Sequence, residues 1–537
     1  MGKRNRVFIM GLDGATWKVF SPLMEEGIMP NLKGLVKEGA SGELQSTIPP
    51  ISAPAWASFQ TGVNPGKHSI YDFVTYHRET RRTSLASSFT IKTRTIWEMA
   101  SQASKTVVSI NVPMTYPPCR VKGVIIGGLM SPGTGSNFTY PKGIYNELVE
   151  QLGDYKIFEG PKSYYKYGLD KFIHRLIYIE NKRIESALYL MKKYDWDLFM
   201  VHNHSLDVVQ HLLWHCLNKD HPGFDNRRYE YVLRFYKAMD ENIGIVMKRL
   251  DDFTTLILTS DHGFGGAYKR INLNNWLEEK GYLTLKPVAK TGDFLIRLIK
   301  RFDILNLKNK LLPYFLQDSV RRTLSENLFI DWEATQAFTL TDSGYGLIYL
   351  NFPHRDFLSV GYENRRDELR KKLEQLRDPT NGMRVVESVY KKEDIYKGDF
   401  VSQAPDLIVE PKDGYSFCTR ASMGGKEAFE EIDYRKSNTG VHRREGIFVF
   451  HGSHINRGMR KDRLRIVDLA PMMLALLGIS IPEYMDGKID KDIFEDIGSL
   501  HINYTREKVE NDQRGGSIYS DRDKREIEAR LKDLGYL

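Results

Sequence analysis

The chain has 537 residues, 41% of them apolar, 27% charged and 12% aromatic. That is enough to bury a large core, and it excludes disordered, collagen-like and low-complexity classes. Seventy-seven Lys and Arg against 69 Asp and Glu leave a net charge of +8, too small for this length to imply nucleic-acid binding.

In chain order, short apolar runs recur at Arg6–Leu12, Thr106–Val112, Gly123–Gly127, Asp197–Val201, Thr254–Thr259 and Gly446–Phe450. They are apolar on both faces and separated by helix-period stretches such as Lys171–Lys193 and Tyr229–Leu250, a pattern that predicts parallel strands covered by helices. Residues 1–265 and 400–490 are read as the α/β core. Between them, 266–399 reads as an inserted cap, with helical pieces at Asn274–Lys280 and Asp293–Leu307, a strand at Gly344–Phe352 and a charged helix over Gly361–Asp378. Residues 491–537 form a charged C-terminal tail in which Ser520 caps a helix over Asp521–Leu534.

No run of eighteen apolar residues occurs and no signal-peptide core precedes Asp13, which leads to the expectation of a soluble, cytoplasmic protein. Cys119, Cys216 and Cys418 are far apart in sequence, which argues against a disulfide framework and against a thiolate zinc site. Nine basic and three acidic residues fall between Lys286 and Arg322. This segment fits a solvated cap helix better than its alternatives, weak contact with anionic lipid or guidance of a phosphorylated substrate.

Acidic and imidazole side chains stand just beyond several of the strands. Asp13 follows the first, Asp207 and His211 follow Leu198–Val201, and Asp261 and His262 follow Thr254–Thr259. Ligands of open parallel sheets bind beyond the carboxyl ends of strands, so these distant positions can converge on one crevice. Asp207 and His211, at i and i+4, share a helix face. Oxygen and imidazole donors without thiolates suit zinc or manganese in an open hydrolytic site.

With these residues in view, the chain resembles the type I phosphodiesterase and nucleotide pyrophosphatase branch of the alkaline phosphatase superfamily. The likeness is carried by Gly11-Leu12-Asp13-Gly14, Pro49-Pro50-Ile51-Ser52-Ala53-Pro54-Ala55-Trp56, Thr61–His68, Asp207-x-x-x-His211, Ser260-Asp261-His262-Gly263 and Gly440-Val441-His442. Asp468–Pro471 and Met485–Lys488 also look like this family. The resemblance implies an alkaline-phosphatase-like α/β/α sandwich with a mostly parallel central sheet and an inserted cap. It also implies two divalent ions, zinc before manganese, on the order of 4 Å apart. One ion would be held by Asp207, His211 and His442. The other would be held by Asp13, Asp261 and His262, with Ser52 as ligand and nucleophile.

Physical chemistry points the same way. A serine hydroxyl is a weak nucleophile at neutral pH, and with no G-x-S-x-G signature to activate it, a divalent cation is the available route. Two ions and three carboxylates leave a centre of about +1, suited to an anionic phosphoryl group. The expected reaction is phosphodiester hydrolysis through a phosphoseryl intermediate on a small-molecule, lipid-linked or glycan-linked substrate, with no nucleic-acid partner. Monoester hydrolysis, phosphomutation and phosphoryl transfer to a lipid or glycan are the alternatives.

Two departures narrow the choice. Trp56 stands where sulfatases need Arg, which argues against a sulfatase, and Ile70-Tyr71-Asp72-Phe73 lacks the phosphate-binding Asn of animal nucleotide pyrophosphatases. A phosphoryl-oxygen donor would then be the backbone N–H after Ser52 or a side chain not identified by sequence. His68 is read as ordering a loop, Trp56 as a core residue or a wall of the leaving-group pocket, and His202, His204 and His215 as structural or solvent-facing in preference to one of them supporting a metal ligand.

Overall fold

The computed structural model of the protein describes residues 4–286, 330–352, 360–419, 427–496, 500, 502–506 and 518–537. From Pro287 onward the basic segment 286–322, and with it the expected helix Asp293–Leu307, lies outside the described residues.

The central sheet is built from β1 (Arg6–Leu12), β2 (Ala40–Gln45), β3 (Val107–Val112), β4 (Gly123–Gly127), β5 (Leu198–Asn203), β6 (Thr254–Thr259) and β9 (Glu445–His451). Two further strands, β7 (Gly263–Asn272) and β8 (Gly440–Arg443), pair with each other antiparallel, beside the centre. In space the main order is β2-β9-β6-β1-β5-β3-β4. The strands from β6 to β4 run parallel, and β9 is antiparallel to both of its neighbours.

Alternation along β1 explains why its sequence is apolar throughout. Phe8, Met10 and Leu12 face one hydrophobic cluster, with helices α2 (Leu169–Lys193) and α4 (Asn226–Met247). Val7 and Ile9 face a second cluster, with α1 (Ser52–Thr61) and α5 (Leu469–Leu476). A strand buried on both faces has no polar side to show, as parallel sheets covered by helices require. Helix α4 begins where the Asp225 carboxylate accepts a hydrogen bond from Arg228 N at 2.8 Å, and its buried residues Val232, Tyr236, Met239, Ile243 and Val246 recur at helical spacing. Trp56 is fully buried, and truncating such a side chain to Ala costs about 3–5 kcal/mol.

A smaller antiparallel sheet, in the order Ala337–Thr339, Gly346–Leu350, Leu407–Pro411 and Val386–Lys391, forms a third apolar cluster with the helix Val360–Glu374. Helix α6 (Asp521–Leu534) starts at Ser520, whose hydroxyl accepts from Asp523 N, and buries Ile527, Leu531 and Leu534 in the same cluster as α2 and α4. No helix among the described residues is long and apolar enough to cross a membrane.

Candidate active site

The parallel register sets the site. Leu12 lies beside Asn203 and Gly11 beside Thr259, so β1, β5 and β6 end together. Asp13, the start of helix α3 (Ser205–Leu217) and the Asp261-His262 turn therefore emerge at one edge. Asp13 N donates to Asn203 O at 3.0 Å, and Gly14 N donates to Asp261 Oδ1 at 3.1 Å. Opposite them, Ser52 opens α1, and β8 brings in His442.

All seven side chains named from the sequence, Asp13, Ser52, Asp207, His211, Asp261, His262 and His442, are buried here. Ser52 Oγ lies 3.2 Å from His262 Nε2 and 3.5 Å from Asp13 Oδ1. His442 Nε2 lies 3.2 Å from Asp207 Oδ1 and 2.9 Å from His211 Nε2. His211 Nε2 is 3.4 Å from Asp207 Oδ1. Two tight groups of donor atoms stand out, Asp13 with Asp261 and His262, and Asp207 with His262 and His442. His262 belongs to both, and its ring stacks on that of His442 with centroids 3.6 Å apart.

The imidazoles are oriented alike. Nδ1 of His211 faces Gly440 O at 2.9 Å, that of His442 faces Pro50 O at 3.0 Å, and that of His262 faces Gly263 O at 3.1 Å. A proton on each Nδ1 leaves each Nε2 lone pair turned inward, the arrangement of metal-ligating histidines. Burial drives the pKa of His211 down to about 4 and lowers those of His262 and His442, the last well below its usual value, so the rings are neutral at pH 7.

Burial raises the Asp261 carboxyl well above its usual range, with the Asp13 charge adding to it, and burial also raises Asp207. Asp13 goes the other way. Burial pushes it up, but His202 Nε2 at 3.0 Å and His204 Nδ1 at 3.1 Å from Oδ2 outweigh that and hold it well below the usual range.

Asp207 Oδ2 and Asp261 Oδ2 are buried without hydrogen-bond partners. Two buried carboxylate oxygens without hydrogen-bond partners, beside inward-facing imidazole nitrogens, form a donor set able to hold metal ions.

The structure also defines roles that sequence reading missed. His202 and His204 hold Asp13; the signal was their alternate spacing at the end of β5, with His202 in register with Gly11. Tyr536 places its hydroxyl 3.5 Å from Ser52 Oγ and 3.4 Å from His442 Nε2, and nothing in its sequence neighbourhood announces this. His68 is structural, bonded to Ser58 Oγ and Ile70 N, with burial driving its pKa down to about 3. His215 bonds Thr439, and Trp56 packs in the core against His202. Asp486 accepts from Asn64 N, Asn64 Nδ2 and Lys67 Nζ, so the Thr61–His68 and Met485–Lys488 blocks fasten the far end of α1. A cavity of about 200 Å³ opens beside His211 and His442, lined also by Arg270, Asn438, Lys532 and Tyr536.

Among protein families, the model described as type I phosphodiesterase / nucleotide pyrophosphatase matches residues 7–453. The chain belongs to this family. Membership makes it a phosphodiesterase/pyrophosphatase-type phosphoester hydrolase. No curated protein matches it significantly in sequence. Among solved structures, this phosphodiesterase-family chain is similar in fold to phosphonoacetate hydrolase from Sinorhizobium meliloti 1021 in complex with phosphonoformate. Identity is 14%, the TM-score is 0.56, and 88% of this chain and 96% of that one are covered. It is also similar to human ectonucleotide pyrophosphatase / phosphodiesterase 5, with 15% identity, a TM-score of 0.50, and 91% and 100% of the two chains covered. The fold is thus the alkaline-phosphatase-like sandwich expected from the sequence.

Proposed function

We propose that the protein is a metal-dependent phosphodiesterase in which Ser52 is the nucleophile. The observation that carries this reading is the position of Ser52 Oγ, 3.2 Å from the one histidine shared by both donor groups and 3.5 Å from Asp13. Asp13, Asp261 and His262 would hold one divalent ion, and Asp207, His442 and His211 the other, with His262 beside both. Such ions, zinc in preference to manganese, would lower the proton affinity of the serine hydroxyl and neutralise charge on the attacking and leaving oxygens.

The residues themselves orient and stabilise. Ser52 is the first residue of α1, so the Ala53 N–H belongs to the open first turn of that helix, where backbone donors and the helix dipole favour an anionic phosphoryl group. Attack forms the Oγ–P bond as the P–O bond to the leaving alcohol breaks, and the serine proton departs with that alcohol. Water then cleaves the Oγ–P bond, restores the hydroxyl of Ser52 and releases the phosphomonoester. The cavity beside His211 and His442 receives the leaving group. His202 and His204 keep Asp13 ionised, which favours cation binding.

The test is Ser52→Ala, assayed with zinc and with manganese on bis-p-nitrophenyl phosphate and p-nitrophenyl phosphate, with metal content measured alongside. The expected variant retains its metal and loses turnover by about 10⁴-fold or more, as loss of a covalent nucleophile does. Turnover near that of the wild type would remove Ser52 from the chemistry.

A further inference from the structure

Helix α6 and the residues around it are held to the core at several points. Tyr519 stacks on Tyr116 with centroids 5.7 Å apart, and its hydroxyl donates to Ala86 O and Met130 O. The Arg530 guanidinium donates to Leu129 O, Ser131 O and Pro132 O. Asn438 Nδ2 donates to Leu534 O at 3.1 Å. The helix then ends at Gly535, whose φ of 92° is open to glycine and costly for other residues. That turn sends Tyr536 inward.

The Tyr536 backbone is pinned on both sides, its N–H donating to Leu531 O at 2.9 Å and its carbonyl accepting from Asp342 N at 3.1 Å. Its ring packs 4.8 Å from that of Phe73 and 5.7 Å from that of His442. The residue is 2% exposed, and its hydroxyl reaches Ser52 Oγ and His442 Nε2 at 3.5 and 3.4 Å.

We propose that Tyr536 is a catalytic residue, its hydroxyl donating a hydrogen bond to a non-bridging oxygen of the phosphoryl group that Ser52 attacks. This rests on Ser52 being the nucleophile. A phenylalanine would fill the same packing space, so packing alone does not account for a hydroxyl at the nucleophile. Both neighbours of that hydroxyl have other work in the mechanism. Ser52 Oγ bonds to phosphorus, and the His442 Nε2 lone pair is committed to a cation, which leaves the tyrosine proton for the substrate. A phosphoryl group joined to Oγ holds its non-bridging oxygens within about a hydrogen-bond length of Oγ, so a hydroxyl 3.5 Å away reaches them without moving its backbone. No proton is transferred; the O–H bond strengthens its interaction as charge grows on the oxygen. Tyr536 thereby fills the part left empty by the missing asparagine of the Ile70–Phe73 stretch.

The test compares wild type, Tyr536→Phe, Tyr536→Ala and Ser52→Ala. It measures turnover of bis-p-nitrophenyl phosphate, affinity for inorganic phosphate by calorimetry, metal content and thermal midpoint. Tyr536→Phe is expected to keep its metal and thermal midpoint. Its kcat should fall by about 10²-fold with little change in KM, as for loss of one oxyanion donor, and phosphate should bind about tenfold more weakly. Unchanged phosphate affinity with turnover within about twofold of wild type would overturn the proposal. So would faster turnover in Tyr536→Ala, which would make the side chain an obstruction. If Ser52→Ala stays active while Tyr536→Phe weakens phosphate binding, the nucleophile assignment fails and the donor assignment stands.

Discussion

Gly440→Ala tests the packing that brings the two halves of the site together. Gly440 opens β8, two residues before His442, and faces α3 between Asp207 and His211. A Cβ built there would stand 2.1 Å from Gln210 O and 3.2 Å from Phe264 Cδ1. Ordinary contact begins near 3.4 Å, so α3 and β8 would have to part by about 1.3 Å. Overpacking of this kind costs about 1–3 kcal/mol. The motion also separates Asp207 and His211 from His442, whose Nε2 atoms and carboxylate oxygen now lie within 3.4 Å of one another.

The expected variant unfolds a few degrees lower and binds zinc about 10–100-fold more weakly, as loss of ligand support does. Thermal unfolding with and without zinc, together with calorimetric titration, reads both effects. Gly34→Ala is the control, since its Cβ meets nothing within 4 Å inside a helix, and it should be neutral or slightly stabilising. Unchanged melting and unchanged zinc affinity in Gly440→Ala would refute the claim that this close approach positions the ligands.

Two other outcomes are expected. Removing divalent ions with a chelator should lower the thermal midpoint, because an ion present at a hundred times its dissociation constant adds about 2.7 kcal/mol. Asp261→Asn should lose this response, and an equal chelator effect in that variant would count against the ligand set. Burial pushes Asp72 up to about 7 against hydrogen bonds from Thr341 Oγ1 and Phe73 N. With the folded value raised, its contribution is complete below the unfolded value near 4 and is lost as pH rises through about 7, a change of up to about 4 kcal/mol. Chemical denaturation of Asp72→Asn from pH 5 to 8 should therefore show a flatter decline than wild type; parallel curves would exclude the linkage.

Much of the site was legible because its signals are local. A doubly apolar run ending in Asp, or an i, i+4 Asp–His pair, can be read from a few adjacent residues, and the strand period gave the sheet as well. Burial on both faces is written into β1 by the absence of any polar residue between Val7 and Leu12. The sequence by itself therefore determined the layered α/β architecture, the motif blocks and the residue types able to hold cations.

Only the tertiary structure decided how these pieces meet. The sharing of His262 between two donor groups depends on β8 pairing antiparallel with β7, which sets His442 opposite Phe264 and its ring on that of His262. The hold of His202 and His204 on Asp13 depends on β5 lying beside β1 in one register. Tyr536 reaches a serine 484 positions earlier because a glycine turn and a docked helix aim it there. Periodicity reports which face of an element is apolar, while the partner of that face is fixed by packing between segments that no local pattern connects.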